Sequence, residues 1–148
     1  MKPNRLNRFS LLCSLICYLI VCCPPTLTAQ QQPREVVRIL AVGNSFSDDG
    51  VEYLDELAKA AGIRLIVGNL YIGGCSLERH WENVSKGLPA YDYRKNCEGV
   101  QSNTPKTSLL SALQDEPWDY ITVQQVSQNS GLYDTYYPFM PSLLQYLR

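Results

Sequence analysis

The chain has 148 residues, with 13 Lys and Arg against 14 Asp and Glu, and 45% of it is hydrophobic. A net charge of −1 with no block of like charges excludes a basic nucleic-acid face and an acidic or basic tail. The length suits about one small domain.

The first 29 residues read as a secretory signal peptide. Lys2, Arg5 and Arg8 form a positive leader, and Phe9 to Cys23 is an apolar run. That run falls short of the ~20 residues a spanning helix needs. Pro24 and Pro25 break it, and Leu27-Thr28-Ala29 offers a cleavage site. Leu19-Ile20-Val21-Cys22 also hints at a lipoprotein box, although Val21 is bulky for that position. The expected product is exported, periplasmic or extracellular, with a lipoprotein as the variant reading and no stable membrane span after cleavage. Residues 30–35 form a polar leader, and residues 36–148 the domain. Of the six cysteines, Cys75 and Cys97 lie in that domain. Export permits a disulfide between them, contributing about 3 kcal/mol, and two separate thiols are the equal alternative.

Val36 to Val42 predicts a buried parallel strand. Gly43-Asn44-Ser45 cuts it off, a polar turn follows, and Val51, Leu54, Leu57, Ala58 and Ala61 have helical spacing. Arg64 to Leu70 is a second strand, Ile72 to Ser76 a turn, and Leu77 to Val84 a helix. Lys86 to Thr107 is rich in turn formers and reads as a long irregular surface segment. A short helix over Thr107–Leu113 precedes a third strand, Tyr120 to Gln124. Gln125 to Pro138 is turn-like, and Phe139 to Arg148 begins another helix. Alternating strands and helices imply a parallel α/β sheet whose post-strand turns meet at one edge. Three strands make a thin sheet, and the last helix has no stop signal, so the sequence reads as a truncated frame or fragment.

The turns carry the chemistry. Acyl transfer by serine needs a nucleophile, a base and donors for the oxyanion. Ser45, at a strand end and near a helix start, is the candidate nucleophile, and its own N–H is one candidate donor. Gly74 is a second, because its backbone N–H can approach a reacting carbonyl. The amide of Asn129 or Gln125 is a third. Each has a plain alternative: Ser45 as a turn cap, Gly73-Gly74 as a tight turn, the amides as loop satisfiers. Tyr133, Tyr136, Tyr137 and Trp81 are candidate walls for a sugar, or else core aromatics. The glycine spacing of a nucleotide-binding loop is missing.

Gly43-Asn44-Ser45-Phe46-Ser47 is similar to the Gly-Asp-Ser-x-Ser block of the SGNH (GDSL-like) hydrolase superfamily, with Asn44 in place of the usual Asp. Ile72-Gly73-Gly74-Cys75-Ser76 resembles its second block, and Gln125-Val126-Ser127-Gln128-Asn129 loosely resembles its third. Residues 36–148 also resemble a bacterial domain of unknown function placed in that superfamily. The shared features are Ile39-Leu40 through Ser47, the Gly-Gly-Cys-Ser-Leu-Glu-x-His turn ending at His80, and Gln124-Gln125. The resemblance implies a three-layer α/β/α, flavodoxin-like fold with a central parallel sheet, of which this chain is the N-terminal part. It also implies esterase or acetylesterase chemistry on carbohydrate or small acyl esters, without metal or other cofactor.

Carried over by motif, Ser45 is the nucleophile, and Gly74 and Asn129 are the oxyanion donors. Asn44, Gln125, Tyr133 and His80 are the candidate substrate-side residues. The superfamily's Asp-x-x-His near the C-terminus has no counterpart here, and His80 sits in the wrong place for the usual base. The alternative is therefore a non-catalytic glycan-binding or degenerate module.

Overall fold

The computed structural model describes residues 36–148; the expected signal peptide, lipoprotein box and polar leader lie outside the described residues. Five strands form one sheet: β1 (Val36–Gly43), β2 (Arg64–Tyr71), β3 (Tyr91–Cys97), β4 (Val100–Thr107) and β5 (Tyr120–Val123). Their order is β4-β3-β2-β1-β5. β1 pairs in parallel with β2 and β5, with Leu40 opposite both Gly68 and Ile121. β3 pairs antiparallel with β2 and with β4.

The sheet is therefore mixed. The expected flavodoxin-like α/β/α fold with a central parallel sheet is corrected by the β3–β4 hairpin. The segment from Lys86 to Thr107 is not irregular either, because it contains that hairpin. Its turn, Glu98-Gly99, has φ of 54° and 94° at its two residues, the left-handed pair that matches strand twist in a two-residue hairpin. The strands escape notice in the sequence because they bury little: β4 is exposed over Val100–Lys106, and only Tyr91 and Tyr93 of β3 are buried.

The helices are α1 (Ser45–Val51), α2 (Leu54–Ala60), α3 (Leu77–Ser85), α4 (Leu109–Asp115) and α5 (Phe139–Tyr146). The polar turn expected after Ser45 is helical. Asn44 caps α1, its side chain accepting from Phe46 N–H, and Asp48 adds a negative charge in the first turn. Capping thus starts the helix ahead of the apolar periodicity, and a turn at Glu52-Tyr53 separates α1 from α2.

The main hydrophobic cluster lies on one sheet face, while Leu65 and Val67 of β2 are buried on the other. Leu40, Val42 and Leu70 pack on the first face with Leu77 and Val84 of α3, Leu109 of α4 and Leu143 of α5. Gly68 is required on that face: a Cβ would sit 2.8 Å from Trp118 and 2.9 Å from Tyr93. Asn69, on the opposite face, meets Ser47 of α1. Among the described residues no helix is long and apolar enough to cross a membrane.

Candidate functional site

Because β1, β2 and β5 run parallel, their carboxyl ends share one sheet edge. Asn44 fastens the three following turns together. It is 1% exposed, and its Nδ2 donates to the carbonyls of Cys75 at 3.1 Å and Gln125 at 3.3 Å. Its Oδ1 is taken by Phe46 N–H at 3.1 Å. This geometry explains an amide where the resembling hydrolase block has Asp: a carboxylate could not donate to two carbonyls.

Gln125 is a second fastening. Its Oε1 accepts from Leu77 N–H at 3.0 Å and Val126 N–H at 2.9 Å, and its Nε2 donates to the carbonyl and hydroxyl of Thr135. Asn44 and Gln125, expected on the substrate side, thus spend their side chains inside the frame. Cys75, at 0% exposure, belongs to the same frame, and burial pushes its thiol up to about 12. It is unpaired, as is exposed Cys97, which settles the open choice in favour of separate thiols.

Above this frame, Ser45 is exposed as the first residue of α1, where backbone N–H groups have no helical partner. Gly74 is exposed with φ 61°, a conformation that favours glycine. The turn closes through Cys75 N–H to the Ile72 carbonyl at 3.2 Å. Asn129 ends a 3₁₀ turn, Ser127–Asn129, with its backbone carbonyl held by Leu132 N–H and the Thr135 hydroxyl. The structure thus joins the turns bearing Ser45, Gly74 and Asn129.

His80 does not join them. It is 0% exposed, Nδ1 lies 3.0 Å from the Tyr91 hydroxyl, and the two rings stack with centroids 5.7 Å apart. Burial, reinforced by the Arg79 charge, holds it down at about 4, so it is neutral at pH 7. A general base must reach the proton it removes. His80 is enclosed, so it serves Ser45 neither as base nor, in this conformation, as a substrate contact. Tyr133, by contrast, is 72% exposed, and with Tyr136 and Tyr137 it lines a groove at the start of α5. Trp81 instead packs against the core.

Beneath α1 lies a network that the sequence reading missed. Ser47 Oγ donates to the Asn44 carbonyl at 2.7 Å and lies 3.0 Å from Asn69 Oδ1. Asn69 Nδ2 donates to Asp48 at 2.6 Å, Asp48 pairs with Arg94, and the Arg94 guanidinium lies 3.9 Å above the Tyr71 ring. Its one sequence signal was a polar Asn69 inside the apolar run of β2. Among the described residues no group of His, Cys, Asp and Glu is arranged to hold a metal.

These features define a class: a mixed α/β domain whose strand-end turns are locked around a serine at a helix start. Residues 38–148 match DUF4886, a domain of unknown function, and the chain belongs to that family. It is also similar to a DUF4886 family protein from Bacteroides uniformis of known crystal structure, at 51% identity and a TM-score of 0.75. The match covers 77% of this chain and 45% of that one, so this chain spans less than half the length of that relative. No curated protein matches it.

Proposed function

We propose that this domain carries the nucleophile and oxyanion half of an exported serine hydrolase of the SGNH type, acting on carboxylic esters of carbohydrates or small acyl groups. The observation that carries the reading is the Asn44 side chain, which ties the Ser45, Gly74 and Gln125–Asn129 turns into one preorganised edge. Preorganised donors are where acyl-transfer enzymes gain most of their rate. Lys2, Arg5 and Arg8 before an apolar run support export. In this reading the base comes from the part of the relative's length that this chain does not span.

The test supplies a base from solution. The chain is incubated with p-nitrophenyl acetate or a fluorophosphonate, with and without imidazole, and the adduct is mapped by peptide mass. Imidazole-dependent modification of Ser45, lost in Ser45→Ala, is the expected result. Modification that survives Ser45→Ala, or none at Ser45 in either condition, rejects the reading. A non-catalytic glycan-binding module is the second reading, favoured by the enclosure of the single histidine.

A further inference from the structure

The groove beside the third turn has walls that suit one kind of ligand. It encloses about 470 Å³ and is lined by Ser130, Tyr133, Tyr136, Tyr137, Met140 and Leu144, among others. No charged side chain lines it. Tyr133 and Tyr137 are 72% and 51% exposed, their ring centroids are 5.2 Å apart at 48°, and their hydroxyls lie 3.2 Å from each other. The Tyr136 hydroxyl donates to the Ser130 carbonyl at 3.0 Å.

Aromatic faces with hydroxyls on the rim suit a neutral molecule that is apolar on one face and hydroxylated at its edge. A pyranose ring has that form. A carboxylate, phosphate or ammonium group finds no counter-charge here. Position adds to the argument, because Ser130 directly follows Asn129. The segment is also fastened to the third turn, the Thr135 hydroxyl donating to the Asn129 carbonyl at 3.1 Å and Gln125 Nε2 to Thr135. A sugar held on the tyrosines therefore sits beside the turn that carries Asn129.

We infer that the Tyr133–Tyr137 groove is a binding subsite for an uncharged sugar ring, stacked by its C–H face on Tyr133 or Tyr137. The inference rests on the carbohydrate part of the proposed function and not on the nucleophile. The site takes up the aromatic surface that the packing of α5 leaves outside the core.

Saturation-transfer NMR tests it, using methyl β-D-glucopyranoside, methyl β-D-xylopyranoside and cellobiose as probes. Irradiating the tyrosine rings is expected to saturate the sugar's C–H face. Tyr133→Ala and Tyr137→Ala are expected to weaken binding by about tenfold, the worth of one aromatic contact. Tyr133→Phe keeps the stack and retains binding. Sugar binding is read without ester turnover and Ser45 acylation without sugar, so loss of the hydrolase reading and loss of this one are told apart. Three results overturn the inference: no transfer to any probe at millimolar concentration, transfer unchanged in both alanine variants, or sedimentation showing that Tyr133→Ala turns a dimer into a monomer. The last would make the groove a self-interface.

Discussion

Two buried polar clusters flank the second turn, and they are finished differently. At the strand ends, Asn44 and Gln125 use their side-chain oxygens and amide groups on protein partners, so that pair is saturated although the neighbouring Gln124 Oε1 is buried without a partner. Under α3, His80 Nε2 and Asn83 Nδ2 are buried without a partner, although His80 Nδ1 meets Tyr91. A saturated network fixes one geometry, whereas a part-satisfied one carries a desolvation cost that opening of the packing relieves. The serine stands on the saturated cluster. The single histidine belongs to the other.

Breaking the saturated cluster has the largest expected effect. Asn44→Ala removes the α1 cap and leaves the buried Cys75 and Gln125 carbonyls short of a donor. A lost cap costs about 1 kcal/mol and each of the two orphaned carbonyls about 1–3, so urea unfolding is expected to show a loss of about 3–7 kcal/mol. Asn44→Asp restores the cap acceptor but not the donors, and it is expected to recover little. Full recovery by Asp would show that the cap alone matters.

The histidine cluster is probed by pH. Folded His80 titrates at about 4 against the ordinary 6.5, so the unfolded chain binds the proton more readily. Its contribution is fully present above pH 6.5 and is lost as pH falls toward 4, with stability rising with pH across that window. The full swing is about 3 kcal/mol. His80→Leu is expected to flatten this part of the stability profile. An unchanged profile would mean that carboxylates, not His80, set it.

Much of the edge was legible in the sequence, and the reasons are local. β1, β2 and β5 are short apolar runs ended by Gly43, by Gly73-Gly74 and by the glutamines. Their turns therefore fell in the right places, and Ser45 and Gly74 emerged exposed there. Burial separates the residues that were read less well. Asn44 and Gln125 looked like ligand groups because a buried amide and an exposed amide are the same letter. The hairpin stayed hidden because β4 has almost no buried face to impose a period-two pattern. The Ser47–Asn69–Asp48–Arg94 chain joins α1, β2 and β3, and no spacing rule links such distant residues.

The smallest expected effect concerns the thiol between the two clusters. The Cys75 carbonyl accepts from Asn44, and its side chain is sealed in the core with Tyr91. Alkylation requires the thiolate and access to it, and Cys75 has neither: it is 0% exposed and pushed up to about 12. Cys97, at the exposed end of β3, has access. Iodoacetamide labelling of the native protein at pH 8, mapped by peptide mass, is expected to modify Cys97 and spare Cys75. Cys97→Ser is expected to remove that label with almost no change in stability. Asn44→Ala sharpens the comparison, because loosening the turn at its carbonyl should expose the thiol behind it and raise Cys75 labelling. If labelling of Cys75 stays slow in that variant, the core face alone holds the second turn, and Asn44 fixes only the first and third.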